Sequence, residues 1–355
     1  MDSALTVNEG IEQPPIVNPK ATGLLKKRPS RQLQLDDYLN GIKAGDVTLL
    51  AQAITLTEST LPSDRDRARQ LVAACHPLSG HSIRVGITGV PGVGKSTFIE
   101  AFGKYLTRLG HKLAVLAIDP SSERSKGSIL GDKTRMESLS VNPKAFIRPS
   151  PSAGSLGGVA RKTREAVILC EAAGFDVIFI ETVGVGQSET AVHSMTDFFL
   201  LLMLSGAGDG LQGIKRGIME MSDLLVINKA DGNNIEKATK AQILYQSALH
   251  LFPPSPSGWV PTALTASAQE ETGLDVILDK IFEYVTLTQQ NGYFTQKRRE
   301  QAVYWMRESI DEALLGRFYR NPTVQTQMAF YEEQVEKGQL DSFQAAAELL
   351  ALLEQ

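Results

Sequence analysis

Gly89-Val90-Pro91-Gly92-Val93-Gly94-Lys95-Ser96 is the stretch on which the reading of this chain turns. It follows an apolar run at 83–88 and opens a helical pattern at 96–109. A G-x-x-x-x-G-K-[ST] string between a strand and a helix is a phosphate-binding loop. Its glycines let backbone N–H groups curl around phosphate oxygens with no Cβ in the way. The helix N-terminus adds the positive end of its dipole. Lys95 is placed to reach β- and γ-phosphates, and the Ser96 hydroxyl to bind Mg²⁺. Gly89, Gly92, Val93, Gly94, Lys95, Ser96 and Thr97 are the candidate phosphate-binding residues.

Outward from this loop, short β-rich runs alternate with helical stretches. The runs lie at 83–88, 113–118, 145–148, 177–180, 198–203, 224–227 and 263–265. Such alternation predicts an α/β fold with a doubly wound, largely parallel sheet. The run at 177–180 is apolar throughout, as expected of a strand covered on both faces. Residues 32–78 read as an N-terminal helical segment, with Gly45-Asp46 as a stop and a cap between its first two helices. Residues 79–286 form the P-loop domain. Residues 287–355 form a C-terminal helical segment, where Ala302, Trp305, Met306, Ile310, Leu314 and Phe318 make one apolar stripe. Phe343, Ala347, Leu350 and Leu353 make another. Residues 1–31 contain Pro14, Pro15, Pro19 and Pro29 with few large apolar residues, and are expected to be a mobile tail.

Composition narrows the function classes. The chain has 355 residues, 42% hydrophobic and 21% charged, which excludes a wholly disordered chain, a collagen and a disulfide mini-protein. Lys+Arg 36 against Asp+Glu 40 leaves −4, so nothing global attracts nucleic acid or an anionic membrane. Cys75 and Cys170 cannot build a disulfide framework and suggest a reducing compartment. The longest apolar run, 198–204, falls far short of the ~20 residues of a membrane span. The N-terminus has neither a signal-peptide nor a transit-peptide layout, so a cytoplasmic protein is expected.

The base is chosen by Asn228-Lys229-Ala230-Asp231, which follows an apolar strand at its C-terminal edge, where α/β ligands bind. The Asp231 carboxylate can accept two N–H bonds, from guanine N1 and N2. Adenine would leave it unpaired, at a cost of roughly 1–3 kcal/mol or more. Asn228, Lys229 and Asp231 thus predict GTP and GDP as ligands. Thr265-Ala266-Ser267-Ala268 ends the next strand, and its Ser267 and Ala268 resemble the loop that closes over guanine in GTPases.

Ile180-Glu181-Thr182-Val183-Gly184 supplies a carboxylate and a glycine for the Mg²⁺ and γ-phosphate side. Glu181 is the candidate outer-shell metal carboxylate and Gly184 the candidate γ-phosphate sensor. Asp119 and Asp132 also sit after strand or loop positions suited to a metal, though a helix cap explains either one as well. Small GTPases of the Ras kind place a water-orienting Gln right after this glycine. Here that position is Val185, and the first glutamine is Gln187, so slow intrinsic hydrolysis is expected, faster when a partner orders the loops.

Glu181 to Glu189, Asp119 to Ser122, Gly127 to Met136 and Asp209 to Gly217 together resemble the MeaB/ArgK-type GTPases. These are P-loop GTPases of the SIMIBI class, bacterial relatives of the human methylmalonic aciduria type A protein. The resemblance covers about residues 35–350. It implies a GTPase chaperone that gates adenosylcobalamin loading onto, and protects, a B12-dependent acyl-CoA mutase of the methylmalonyl-CoA mutase type. It implies a homodimer joined through C-terminal helices. It puts Ser96, Asp119, Asp132 and Glu181 around the Mg²⁺, and Lys95, Glu181, Gly184 and Gln187 at the reacting phosphate. Residues 205–215, with Gln212 and Lys215, resemble the family's third mobile loop, which couples nucleotide state to the mutase.

Two competing readings differ in what they require. A GTP-dependent metallochaperone needs clustered Cys or His ligands, whereas the five histidines are scattered and Cys75-His76 is the lone adjacent pair. A kinase or transport ATPase is opposed by the guanine motif and by the lack of a second substrate domain.

Overall fold

The computed structural model describes residues 33–59, 61–118, 136–149, 156–182, 188–206 and 216–353. The segment expected to be a tail, 1–31, lies outside them. Seven strands form one sheet: β1 Ile83–Gly89, β2 Leu113–Ile118, β3 Ala145–Arg148, β4 Val177–Thr182, β5 Phe198–Leu204, β6 Leu224–Asn228 and β7 Thr262–Thr265. All seven predicted runs are strands, each matching or exceeding the predicted run by one or two residues. The order is β3-β2-β4-β1-β5-β6-β7, and every neighbouring pair is parallel.

Pleating sorts each strand between two cores. On β2, Leu113 and Val115 enter one core, while Ala114, Leu116 and Ile118 enter the other. The first core is covered by α4 (Lys95–Arg108), following helices α1 (Leu35–Lys43), α2 (Val47–Glu58) and α3 (Pro62–Cys75). Phe98 and Phe102 of α4 are fully buried, and the Phe102 ring stacks on Phe179 of β4 with centroids 5.4 Å apart. The second core is covered by α1, α2 and α3 together with a long helix after β3. Tyr38, Ile42, Leu50, Ile54 and Leu71 share it with Ile178 and Ile180, so the N-terminal helices continue the sheet's own core. The predicted stop and cap are both present. Gly45 has φ +74°, and Asp46 accepts from the Thr48 and Leu49 amides at 2.8 and 3.0 Å.

The remaining helices in chain order are α5 (Glu137–Ser140), α6 (Leu156–Ala172), α7 (Ser188–His193), α8 (Arg216–Met221), α9 (Ile235–Leu249), α10 (Leu274–Gln290), α11 (Tyr293–Tyr319), α12 (Pro322–Glu336) and α13 (Ser342–Ala351). No helix among the described residues is long and apolar enough to cross a membrane. The first half of α11 is bound to the sheet. Lys297 Nζ donates to Asp197 O at 2.8 Å, Gln301 Nε2 to Thr196 O at 2.8 Å and Trp305 Nε1 to Ser194 O at 3.1 Å. Of the predicted stripe, Trp305 is buried while Met306, Ile310 and Leu314 are about half exposed.

The stripe predicted on α13 is corrected. That helix buries Ala345 and Leu349, while Phe343, Ala347, Leu350 and Leu353 face outward. Packing of α13 on α12 selects the face one step away from the largest apolar side chains.

A buried ionic network fixes the N-terminal ends of the strands. Asp197, 1% exposed, accepts from the Arg84 amide at 2.8 Å and from Arg298 Nε and Nη2 at 2.8 and 2.7 Å. Burial alone would raise the Asp197 pKa, but the hydrogen bonds and charge of Arg298, helped by Arg84, hold it below the usual aspartate range. Arg298→Ala strands this carboxylate and should cost about 3–5 kcal/mol in urea unfolding at pH 7. The folded pKa lies below the unfolded one, so this stabilisation is complete above pH ~4 and lost as pH falls through the folded value. The difference between parent and variant should therefore shrink in acid. An equal difference at pH 7 and pH 3 would remove ionised Asp197 from the account.

Candidate nucleotide site

The parallel sheet gathers the C-terminal ends of β1, β4, β5, β6 and β7 on one edge, and the sequence motifs meet there. Gly89 closes β1 so near β5 that a Cβ would stand 2.6 Å from the Leu202 carbonyl. Gly94 sits at φ +87° just before α4, a conformation that L side chains rarely adopt. A Cβ on it would also stand 3.3 Å from Asn228 Nδ2. Between these two glycines the chain loops over the N-terminus of α4, whose first-turn amides have no partner within the helix.

Lys95 folds back over the loop and donates to the Gly89 carbonyl at 2.9 Å. Burial pulls its pKa below the ordinary lysine range, and the charges of Glu181 and Glu189 partly offset that. Ser96 is half-buried and Thr97 exposed on the first turn. Glu181 is 4% exposed on β4, opposite Ile87 of β1. The next residue, Thr182, shares a 2.8 Å hydrogen bond with Thr88, pinning the two strand ends together.

The base motif is lashed directly to the phosphate loop. Asn228 Nδ2 donates to Val93 O at 2.8 Å, and Lys229 Nζ donates to Gly92 O at 2.9 Å. On the other side, Asn228 Oδ1 accepts from the Ala268 amide at 3.3 Å. Asp231 Oδ2 accepts from Ser267 Oγ at 2.5 Å, and Ser267 Oγ in turn accepts from the Glu270 amide at 3.1 Å. Ala230 N–H bonds to Ala266 O and Ala266 N–H to Ile227 O, so the loops after β6 and β7 form one unit. Lys229 takes φ +60°, unusual for a side-chain-bearing residue. Asn234 Nδ2 holds its carbonyl at 2.6 Å, and Asn234 Oδ1 accepts from Ser205 Oγ at 2.6 Å.

The structure thus brings together Gly89, Gly92, Val93, Gly94, Lys95, Ser96, Thr97, Glu181, Asn228, Lys229, Asp231, Ser267 and Ala268. Asp119, Asp132, Gly184, Gln187, Gln212 and Lys215 lie outside the described residues. Three contributors were not singled out from the sequence: Glu189, Asn234 and the Thr88–Thr182 pair. Glu189 lies in the quoted 181–189 segment, but its burial (2% exposed) and its charge near Lys95 are set by folding. Asn234 looks like any loop asparagine until Ser205 arrives beside it.

The described donors for a divalent cation are the Ser96 hydroxyl and the Glu181 carboxylate. Both are hard oxygen ligands, which suits Mg²⁺. No described cluster of three or more His, Cys, Asp and Glu side chains could hold a metal. Both cysteines are free and buried; burial raises the Cys75 thiol to about 11 and also pushes up Cys170, so neither is poised as a thiolate ligand.

This fold and this edge define a P-loop nucleotide-binding protein. Residues 50–323 match the family model described as "Methylmalonyl Co-A mutase-associated GTPase MeaB". The Escherichia coli protein named GTPase ArgK is 48% identical over 287 residues, 81% of this chain and 87% of that protein. A Mus musculus protein named "Methylmalonic aciduria type A homolog, mitochondrial" is 45% identical over 326 residues, 89% of this chain and 79% of that protein. A crystal structure described as an LAO/AO transport system kinase superposes with TM-score 0.70 at 38% identity, covering 90% of this chain and 98% of that one. The chain belongs to the MeaB family, and it is a GTPase.

Proposed function

We propose that this GTPase acts in the cytoplasm as a chaperone of a B12-dependent acyl-CoA mutase of the methylmalonyl-CoA mutase type. In this reading GTP turnover gates adenosylcobalamin loading onto the mutase and protects the loaded enzyme. The family description, mutase-associated, supports the partner. The observation that carries the switch is the hydrogen-bond chain Ser205–Asn234–Lys229. It ties the start of the 205–215 segment to the backbone of the base motif, so a partner touching that segment has a route to the nucleotide. Buried thiols agree with a reducing compartment.

The residues divide the work by chemistry. The amides at the start of α4 and Lys95 hold the β- and γ-phosphates, and Lys95 must leave the Gly89 carbonyl to do so. Ser96 and Glu181, with Asp119 and Asp132, hold Mg²⁺, which supplies charge neutralisation when bound. Gly184 and Gln187 are assigned to the γ-phosphate by the family resemblance. Asn228 braces the phosphate loop, and Asp231, oriented by Ser267, reads the guanine N–H groups. With Val185 in the place of a water-orienting glutamine, hydrolysis is slow until a partner completes the site.

Three measurements test this reading. Asp231→Asn faces guanine with one acceptor and one donor, so GTP affinity should fall at least about tenfold. Xanthine nucleotide, with a carbonyl at C2, should gain. Calorimetric titration with unchanged GTP binding would remove Asp231 from the base site.

The half-exposed apolar face of α11 supports a homodimer. Trp305 and Arg298 anchor α11 in the core, so deleting this helix would disturb the fold. The double variant Ile310→Glu, Leu314→Glu spares those anchors. Light scattering should give a dimer for the parent at micromolar concentration and a monomer for the variant. A monomeric parent would sink the homodimer.

Gln212→Ala and Lys215→Ala should leave basal GTP hydrolysis nearly intact and remove the acceleration on adding the mutase. Coupling between two sites is typically about 1–3 kcal/mol, so roughly 5–150-fold of stimulation is at stake. Full stimulation in both variants would assign the coupling elsewhere. Equal loss of basal and stimulated rates would make the segment part of the hydrolytic site.

A further inference from the structure

At the opposite edge of the sheet from the phosphate loop, a cavity of about 330 Å³ opens between α6, the start of β1 and α11. Arg84 on its wall and Gly89 at the phosphate loop are separated by five steps of β1, about 17 Å, so this is not the nucleotide site. Its volume is in the range of small-molecule pockets. Three guanidinium groups line it, from Arg84, Arg161 and Arg164, together with the Glu165 carboxylate, and Trp305 and Met306 supply an apolar wall.

The three arginines are unequally satisfied. Arg84 is closed by a two-pronged pair with Glu171, Nε to Oε1 at 2.9 Å and Nη2 to Oε2 at 3.0 Å. Arg161 Nε lies 2.9 Å from Glu312 Oε2 but is not aligned with it, and its N–H is buried without an acceptor. Its Nη1 reaches Glu165 only at 3.4 Å. Among the described residues, Arg164 forms no ion pair with a carboxylate. It has a long 3.4 Å contact to the Gln301 carbonyl and lies 5.7 Å from the centre of the Trp305 ring. Burial, with the charge of Arg84 beside it, pulls its pKa down to about 10. Arg161 is thus shared between two carboxylates, while the Arg164 guanidinium faces the cavity with no carboxylate partner among the described residues.

We propose that this cavity binds a small organic anion, a carboxylate or phosphate monoester. Its oxygens take the N–H groups of Arg164, and its apolar body lies against Trp305 and Met306. A planar guanidinium matches both kinds of oxyanion, and the aromatic wall favours a ligand with a hydrocarbon part over a bare ion. The concave shape and limited volume fit a free small molecule.

The protein carries its own reporter, because its two tryptophans are Trp259 and Trp305. Trp259→Phe leaves Trp305 alone in the fluorescence. With GDP saturating the nucleotide site, this full-length variant is titrated with 3-phenylpropionate, phenyl phosphate, 3-phenylpropanol and inorganic phosphate. Saturable changes are expected with the two aromatic anions, and their relative affinities separate a carboxylate ligand from a phosphate ester. The alcohol and inorganic phosphate should bind far more weakly. Arg164→Gln should weaken anion binding at least about tenfold, the worth of a lost charged hydrogen bond. Arg164→Lys, which keeps the charge but not the fork, should fall between. Ala302→Glu, at an exposed position on the same wall, brings a repelling carboxylate without removing a buried group, and should weaken binding likewise while GDP affinity holds. No saturable response to either aromatic anion overturns the proposal. So does equal affinity for the alcohol or for inorganic phosphate, or undiminished binding in Ala302→Glu.

Discussion

β1 lies between β4 and β5 with all three strands parallel, and that constraint decides which loops can meet. Parallel strands send their C-terminal ends to the same edge, so Gly89, Glu181 and Asn228 arrive together although far apart in sequence. The contact between β1 and β5 is tight enough that Gly89 admits no side chain beside the Leu202 carbonyl. From that fixed point the phosphate loop can reach across to Asn228 and Lys229, and the loops after β6 and β7 can bind each other. A displacement of β1 by one residue would send Val85 and Ile87 to the opposite core and break every one of these contacts.

The other end of β1 is held by charge. Arg84 pairs with Glu171 of α6, its amide bonds to Asp197, and Arg298 of α11 completes the carboxylate's shell. Burying such groups costs desolvation that the attraction between them only offsets. Hydrophobic residues could fill the same volume. What the charges add is direction: Asp197 takes two guanidinium nitrogens and one amide, which sets where α11 meets the strand ends. Arg164 and Trp305 are thereby brought to the same cavity.

The strands were readable because a parallel sheet covered on both faces needs near-continuous apolar runs, which 113–118, 177–180, 198–203 and 224–227 are. The phosphate and base motifs were readable because backbone geometry and hydrogen-bond valence leave few residue choices at those positions. Other features were not readable. The buried charge of Glu189 beside Lys95, the Ser205–Asn234 link and the acceptor deficit at Arg164 each depend on residues brought together across long sequence separations. Helical periodicity finds an apolar face on α13 but does not say what covers it. Leu349 and Ala345 are buried because α12 lies there, and the larger Phe343 remains outside.

Both edges of the sheet differ from its middle in what they can change. The strands at the centre are buried on both faces and paired on both sides, so they have no second arrangement of comparable energy. At the nucleotide edge the contacts are single hydrogen bonds: Lys95 on Gly89, Lys229 on Gly92, Ser205 on Asn234. Each can break and re-form at a net cost of about 1–3 kcal/mol without moving a strand. A phosphate drawing Lys95 off the Gly89 carbonyl changes the charge felt by Glu181 and Glu189, and Glu189 stands at the start of α7, directly after 183–187. The base motif is linked instead through Asn234 to Ser205, two residues before 207–215. Among the described residues these are two routes out of the site, one from the phosphate end and one from the base end. The sheet itself serves as the rigid frame against which they move.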